Sequence, residues 1–215
     1  MAEIAVDVVL LPSEEMADKA TAANKELLKQ CPDKIVLDKE NCLPHISLAM
    51  GCIDERDIAD IEKILQAAAK QSSLGQLSVI GIHTETNSAG ENVSVFQIEK
   101  TEALQSLHEE VMRRLAPYFS YDVTVDMVLS PPMASESTLA WIKSYPEKSS
   151  FEKFFPHITI GYGEINDYSF PPQGVLRKES LGLRTIKFTV SKLALCHLGN
   201  HCTCRRILAS AELKD

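Results

Sequence analysis

The sequence predicts an α+β fold: a bilobal molecule with duplicated lobes, antiparallel sheets lining a central cleft and helices on the outer faces. Two observations predict it. The octapeptide Pro44-His45-Ile46-Ser47-Leu48-Ala49-Met50-Gly51 returns as Pro156-His157-Ile158-Thr159-Ile160-Gly161-Tyr162-Gly163. Proline, histidine, isoleucine and the final glycine are identical, and the other positions pair hydroxyl with hydroxyl, aliphatic with aliphatic, small with small and Met with Tyr. Each copy also follows a helical pattern and precedes a hairpin pattern at a similar distance, which is a repeat at the level of topology. Residues 1–215 are accordingly expected to form a single bilobal domain. The first motif's lobe centres on 41–99 and the second's on 153–213, related by a pseudo-two-fold axis. Residues 119–155 read as an insertion before the second motif.

Residues 4–11, rich in Val and Leu, predict a strand. Ser13 is placed to cap a helix with Glu14 and Glu15 in its first turn and Met16, Ala20, Ala23 and Leu27 as its apolar stripe. A loop through Asn41 and Pro44 leads into the first motif strand. Asp54 caps the next helix, with Ile53 stapled onto Ile58, and Ile58, Ile61, Leu65 and Ala68 inward. Residues 77–85 and 93–99 predict two strands around a polar loop containing Asn87 and Gly90. Thr101 caps a third helix, with Leu104, Leu107, Val111 and Leu115 inward. Residues 121–128 predict a strand, and 139–144 a short helix ending at Pro146. After the second motif comes an irregular Pro/Gly stretch at 170–174. Two strands, 186–198 and 202–213, close the chain around a two-residue turn at Gly199-Asn200.

Composition narrows the function. The net charge of −8 argues against a large nucleic-acid footprint. The charge is uneven: residues 177–206 hold seven Lys/Arg against one acid, Glu179, a balance suited to a small anionic ligand or simply to a solvated sheet face. The run Val8-Val9-Leu10-Leu11 is too short for a membrane span. The N-terminus, with Glu3 and Asp7, lacks the basic region of a signal peptide. With no export signal, the six cysteines are expected to be reduced thiols and the protein cytoplasmic and monomeric.

The motifs carry the chemistry. Side chains at i and i+2 of a strand share a face, so each copy presents one imidazole beside one hydroxyl. Two such pairs facing each other make a site for acid–base work on a phosphate. Opening a cyclic phosphate needs a proton taken from water and another given to the leaving oxygen. One neutral and one protonated imidazole supply both near neutral pH. The hydroxyls donate to phosphoryl oxygens as charge redistributes. Spacing alone does not say which histidine is acid and which is base.

Together, the paired octapeptides, the duplicated context and the apolar strand around each motif resemble the signature motifs of the 2H phosphoesterase superfamily. The most similar branch is the 2′-5′ RNA ligase/cyclic nucleotide phosphodiesterase group, and the stretch from Pro44 to Leu65 is especially similar. The resemblance implies a deep cleft, no metal and no cofactor. It makes His45 and His157 the catalytic pair and Ser47 and Thr159 the phosphate-binding hydroxyls. It implies hydrolysis of a cyclic phosphate on a 2′,3′-cyclic nucleotide, a short RNA end or a related small metabolite, with 2′-5′ ligation as the reverse reaction. A nucleotide- or RNA-end-binding module of the same fold is the alternative. One departure is visible: Gly161-Tyr162-Gly163 has no Arg where relatives often carry a basic residue. No P-loop-type phosphate loop is present, so ATP-dependent ligation is not suggested.

Other residues have blander readings. The run Cys196-His197 to Cys202-Thr203-Cys204 looks metal-like: with Gly199-Asn200 as a two-residue turn, His197 pairs with Cys202 and Cys204 lies on the same face, three potential ligands, but there is no CxxC pair and a fourth ligand is unidentified, and small hairpin thiols are the preferred reading. Cys42 and Cys52 read as packing residues and His83 and His108 as structural or exposed. Trp141 is expected in the core. Tyr162, on the second motif strand, is a candidate for stacking a base.

Overall fold

The computed structural model describes residues 2–87, 89–165 and 185–213. Along the chain run β1 (Glu3–Pro12), α1 (Glu14–Leu27), β2 (Ile46–Asp54), α2 (Ile58–Gln71), β3 (Leu77–Thr86), β4 (Asn92–Ile98), α3 (Glu102–Leu115), α4 (Glu136–Lys148), β5 (His157–Tyr162), β6 (Ile186–Phe188), β7 (Val190–Gly199) and β8 (Thr203–Glu212). The strands form two four-stranded antiparallel sheets, ordered β2-β1-β7-β8 and β5-β4-β3-β6. The class is α+β with two lobes. No helix among the described residues is long and apolar enough to cross a membrane.

The lobes exchange strands between the two halves of the chain. The first motif strand, β2, lies with the C-terminal hairpin β7–β8, and the second, β5, with the hairpin β3–β4. Each sheet thus draws on both halves, in contrast to the sequence reading of one lobe over 41–99 and the other over 153–213. The helices cross as well. Helix α1 leaves β1 of the first sheet and packs on β5 of the second, while α3 leaves β4 of the second sheet and packs on β2 of the first.

The amphipathic stripes account for the core. Met16, Ala20, Ala23 and Leu27 of α1, Ile61, Leu65 and Ala68 of α2, and Leu104, Leu107, Val111 and Leu115 of α3 are all buried. Strand β1 is covered on both faces. Val6, Val8 and Leu10 join the main core, and Val9 forms a second small cluster with Ala194, Cys196 and Cys204 on the opposite face. Thr101 caps α3 by accepting from the Leu104 amide.

Local structure departs from the sequence reading in several places. Ser13 stands at the head of α1, but its side chain makes no capping bond. Asp54 caps a short 3₁₀ turn ahead of α2 by accepting from Arg56 N–H. Residues 121–128 form no strand; Ser120 bridges to Cys52, and a 3₁₀ turn spans Val125–Met127. Helix α4 is longer than its apolar core suggests. Ser135 caps it, and Pro146 sits inside its last turn, where the missing N–H removes only one bond near the C-terminal end. Trp141 on this helix is 40% exposed rather than in the core. The predicted strand 186–198 is divided between the two sheets as β6 and β7. The final turn has three residues, Asn200–Cys202, with His201 and Cys202 at positive φ. This sets His197 opposite Arg206 instead of Cys202 and Leu198 opposite Cys204. It also disperses the metal-like cluster, and no group of His, Cys, Asp and Glu suited to a metal exists among the described residues. Cys196 and Cys204, adjacent on β7 and β8 with Cα atoms 5.5 Å apart, are joined in a disulfide, so these two are not the reduced thiols expected. The irregular stretch at 170–174 lies outside the described residues.

Candidate active site

Both motif strands are edge strands, β2 in one sheet and β5 in the other, and the two pack against each other. Proline before each histidine fixes φ and favours an extended entry into the strand. The carbonyl of the residue before that proline then meets the imidazole. His45 Nδ1 lies 2.7 Å from Leu43 O and His157 Nδ1 2.8 Å from Phe155 O. A carbonyl only accepts, so Nδ1 carries the hydrogen in each ring and Nε2 is left to exchange protons. The two rings are close enough that a positive charge on His157 disfavours one on His45.

The motif strands share a second feature that the sequence does not display. In each, one residue is bulged out of the ladder: Leu48, between the pairs Val9–Ser47 and Val8–Ala49, and Ile160, between Val95–Thr159 and Ser94–Gly161. These are the same position of the octapeptide. A buried side chain from the helix behind holds each bulge. His108 Nδ1–H of α3 donates to Leu48 O at 2.6 Å, and Asn24 Nδ2–H of α1 donates to Ile160 O at 2.9 Å. Both residues are further satisfied. His108 Nε2 accepts from Phe151 N–H at 2.7 Å and the ring stacks on Phe154 at 4.1 Å, while Asn24 also bonds Ile35 O and Leu37 N–H. Gly161 follows the second bulge with φ +137°, and a Cβ there would meet Asn24 Nδ2 at 2.8 Å, so both backbone and space require glycine. Bulges of this kind re-aim the side chains beside them. Here the side chains are His45 with Ser47, and His157 with Thr159.

The symmetry ends at the hydroxyls. Ser47 Oγ lies 2.5 Å from Asp7 Oδ2, and the same oxygen is 3.9 Å from His45 Nε2. Asp7 is wholly buried on the face of β1 that carries Val9, opposite Cys196 of β7, and its Oδ1 has no hydrogen-bond partner among the described residues. The Thr159 hydroxyl makes no hydrogen bond among the described residues. Asp7 pairs with Met50, the seventh motif residue; the seventh residue of the second motif, Tyr162, pairs instead with Val93. A valine therefore holds the place of the carboxylate in the second half.

Burial dominates the electrostatics. Desolvation pulls His45 down to about 4 and lowers His157 as well, favouring neutral rings. Desolvation also pushes the Asp7 carboxyl well above the ordinary carboxylate range. Sequence reasoning missed Asp7, Asn24 and His108. For Asp7 a signal existed: it is the one acid inside the apolar run of β1.

Tyr162 is placed near the site but is well covered. Its hydroxyl meets His201 Nδ1 at 2.9 Å, Lys34 Nζ lies 5.1 Å from its ring centre, and the residue is 7% exposed. These contacts occupy the ring that was expected to stack a base. On the sheet face beside His157 and Thr159, register places His83 across from Val95 and Glu85 across from Val93. His83 packs edge-on to Phe155, which in turn stacks on His157.

A family model of the 2′-5′ RNA ligase superfamily matches residues 38–201, a span that includes both motif strands and the turn that carries His201. Among curated proteins nothing matches this chain. The matched residues cover most of the sequence and hold both histidines and both hydroxyls at the duplicated strands, and on that ground the chain belongs to the 2′-5′ RNA ligase superfamily.

Proposed function

We propose that this protein is a phosphodiesterase that hydrolyses a cyclic phosphate (a 2′,3′-cyclic nucleotide, a short RNA end or a related small metabolite) by paired-histidine acid–base catalysis without a metal. The observation that carries the reading is the matched pair of imidazoles. Each is locked at Nδ1 by the carbonyl two residues back, each leaves Nε2 without a hydrogen bond among the described residues, and each stands two residues from a hydroxyl on adjoining edge strands. One Nε2 takes the proton of the attacking water as the new P–O bond forms. The other gives a proton to the ribose oxygen as the old P–O bond breaks. Thr159 and Ser47 donate to the phosphoryl oxygens, whose negative charge is redistributed in the transition state. Superfamily membership supports phosphodiesterase-type chemistry.

The test is a panel of 2′,3′-cyclic nucleotides and 2′-5′-linked oligonucleotides assayed with EDTA present. Turnover that survives chelation, with a bell-shaped pH profile, is expected. Dependence on an added divalent ion, or binding of nucleotide without turnover, would overturn the reading.

A further inference from the structure

Paired-histidine hydrolysis needs one imidazole that still holds a proton at neutral pH, yet burial drives both rings of this site toward the neutral form. Two-fold symmetry would leave the histidines equivalent. Among the described residues beside the two rings, a buried carboxyl is present at one ring only. Asp7 sets a carboxyl 2.5 Å from Ser47 Oγ and 3.9 Å from His45 Nε2, while the matching position beside His157 is Val93. Asp7 lies outside the residues that the family model matches.

We propose that Asp7 and His45 share a single proton and together form the acid of the reaction, with His157, which has no buried carboxylate beside it among the described residues, as the base. This rests on the phosphodiesterase reading above. A lone buried carboxylate and a lone buried imidazolium are each costly, whereas a carboxyl and an imidazole 3.9 Å apart that carry one proton in all are neutral overall. Among the described residues the Asp7 carboxyl also takes hydrogen bonds from Ser47 and the Ala49 backbone, neither of which competes for that proton. The ionisable neighbours from the packed elements are Tyr145 of α4 and Cys202 of the last turn, and burial pushes both toward their neutral, protonated forms. Cys196, directly across the sheet, is in the disulfide. His157 has different company: the exposed Glu85 carboxylate favours its charged form and His83 opposes it, and those two are bonded to each other at 3.1 Å.

The step balances. Water adds to phosphorus, and His157 Nε2 takes its proton. The P–O bond to the ribose oxygen breaks, and that oxygen receives the proton of the pair from His45 Nε2. Asp7 is left ionised beside a neutral His45 until a proton returns from solvent. Asp7 touches no substrate atom in this scheme and is a positioning residue that acts through His45 and Ser47. In the structure Ser47 Oγ donates to Asp7 Oδ2; while Asp7 holds the pair's proton that bond can turn round and free the serine hydrogen for a phosphoryl oxygen.

The experiment follows the proton directly. Imidazole ¹⁵N and carboxyl ¹³C NMR of the wild-type protein should show His45 and Asp7 losing one shared proton in a single step above pH 7. In Asp7→Asn the His45 step should move to acid pH. In kinetics, Asp7→Asn should lower kcat on the order of ten- to hundredfold at pH 7.5 with little change in KM. The alkaline limb of kcat/KM should also move toward acid by about one unit or more; a purely structural role would lower activity without moving that limb. The inference is overturned if both groups of the wild type are already deprotonated at pH 6, or if His45 titrates alike in wild type and variant. The wild-type titration decides it even should Asp7→Asn fold poorly. A protein that hydrolyses no cyclic phosphate yet shows the shared step would overturn the enzymatic reading alone.

Discussion

Ser47 and Thr159 occupy the same motif position, but only the threonine hydroxyl is free among the described residues. The two substitutions should therefore differ in kind. Thr159→Val removes one donor to a phosphoryl oxygen, about 1.5–3 kcal/mol for a charge-assisted bond, and so on the order of ten- to hundredfold in kcat/KM. Thermal stability should barely change. Thr159→Ser should be milder, because the donor stays. Ser47→Ala should lose a similar factor and also leave the buried Asp7 carboxyl without its hydroxyl partner, costing about 1–3 kcal/mol of stability. Steady-state kinetics and thermal unfolding of the three variants check this. Equal melting temperatures for Ser47→Ala and Thr159→Val would mean that Asp7 does not depend on the serine. The motif residues were legible because an octapeptide that repeats with its proline, histidine and glycine intact is improbable by chance. Asp7 was visible only as a lone acid in an apolar strand, which has no spacing rule to name its role, and its partners His45 and Ser47 lie 38 and 40 residues away at the start of β2.

At the scale of elements, two bulges and the helices behind them hold the site. The sequence showed the strands and the apolar stripes, because burial periodicity is written in side chains. It did not show the bulges, which depend on a backbone register set by the partner strand, nor the buried donors that grip them. Asn24 is joined to Ile160 O across 136 residues, and a backbone acceptor leaves no mark in sequence. His108 reads in the sequence as structural or exposed; it is buried and structural, and what the sequence does not show is its target, the bulge of the first motif. Asn24→Leu leaves the carbonyls of Ile35 and Ile160 and the amide of Leu37 unpaired in the interior, at about 1–3 kcal/mol for each group that water cannot reach. The change should act locally. Amide exchange should quicken along β5 and the 35–37 loop, β2 should stay protected, and kcat should fall tenfold or more, roughly the cost of a displaced base. His108→Leu should do the reverse, loosening β2 and the approach through Phe151. If either variant loosened both motif strands equally, the bulges would not be gripped independently.

For the whole molecule, the buried ionisable groups set a stability optimum near neutrality from two opposite directions. His108, held down to about 4 by burial, stays neutral in the fold, while in the unfolded chain it protonates near 6.5. Between those values the unfolded state binds more protons, so stability falls as pH falls, by on the order of 3 kcal/mol over the full window. His157 and His201 are lowered too and act in the same direction. Asp7 has the opposite sign. Its carboxyl is raised in the fold, so folding there favours the protonated form, and the contribution is lost as pH rises. If Asp7 and His45 share one proton, that pair matches the single proton on His45 of the unfolded chain below about 6.5 and contributes no slope there. Above that pH the folded pair holds a proton that the unfolded chain has lost, and stability declines. Asp7→Asn should therefore reshape the curve. The alkaline decline should flatten, while the acid side should steepen, because His45 alone, held near 4, then adds its own term to that of His108. Urea unfolding followed by circular dichroism from pH 5 to 9 gives both curves. A variant curve parallel to the wild type over that range would show that Asp7 and His45 do not share a proton, and would leave the acid slope to His108, His157 and His201.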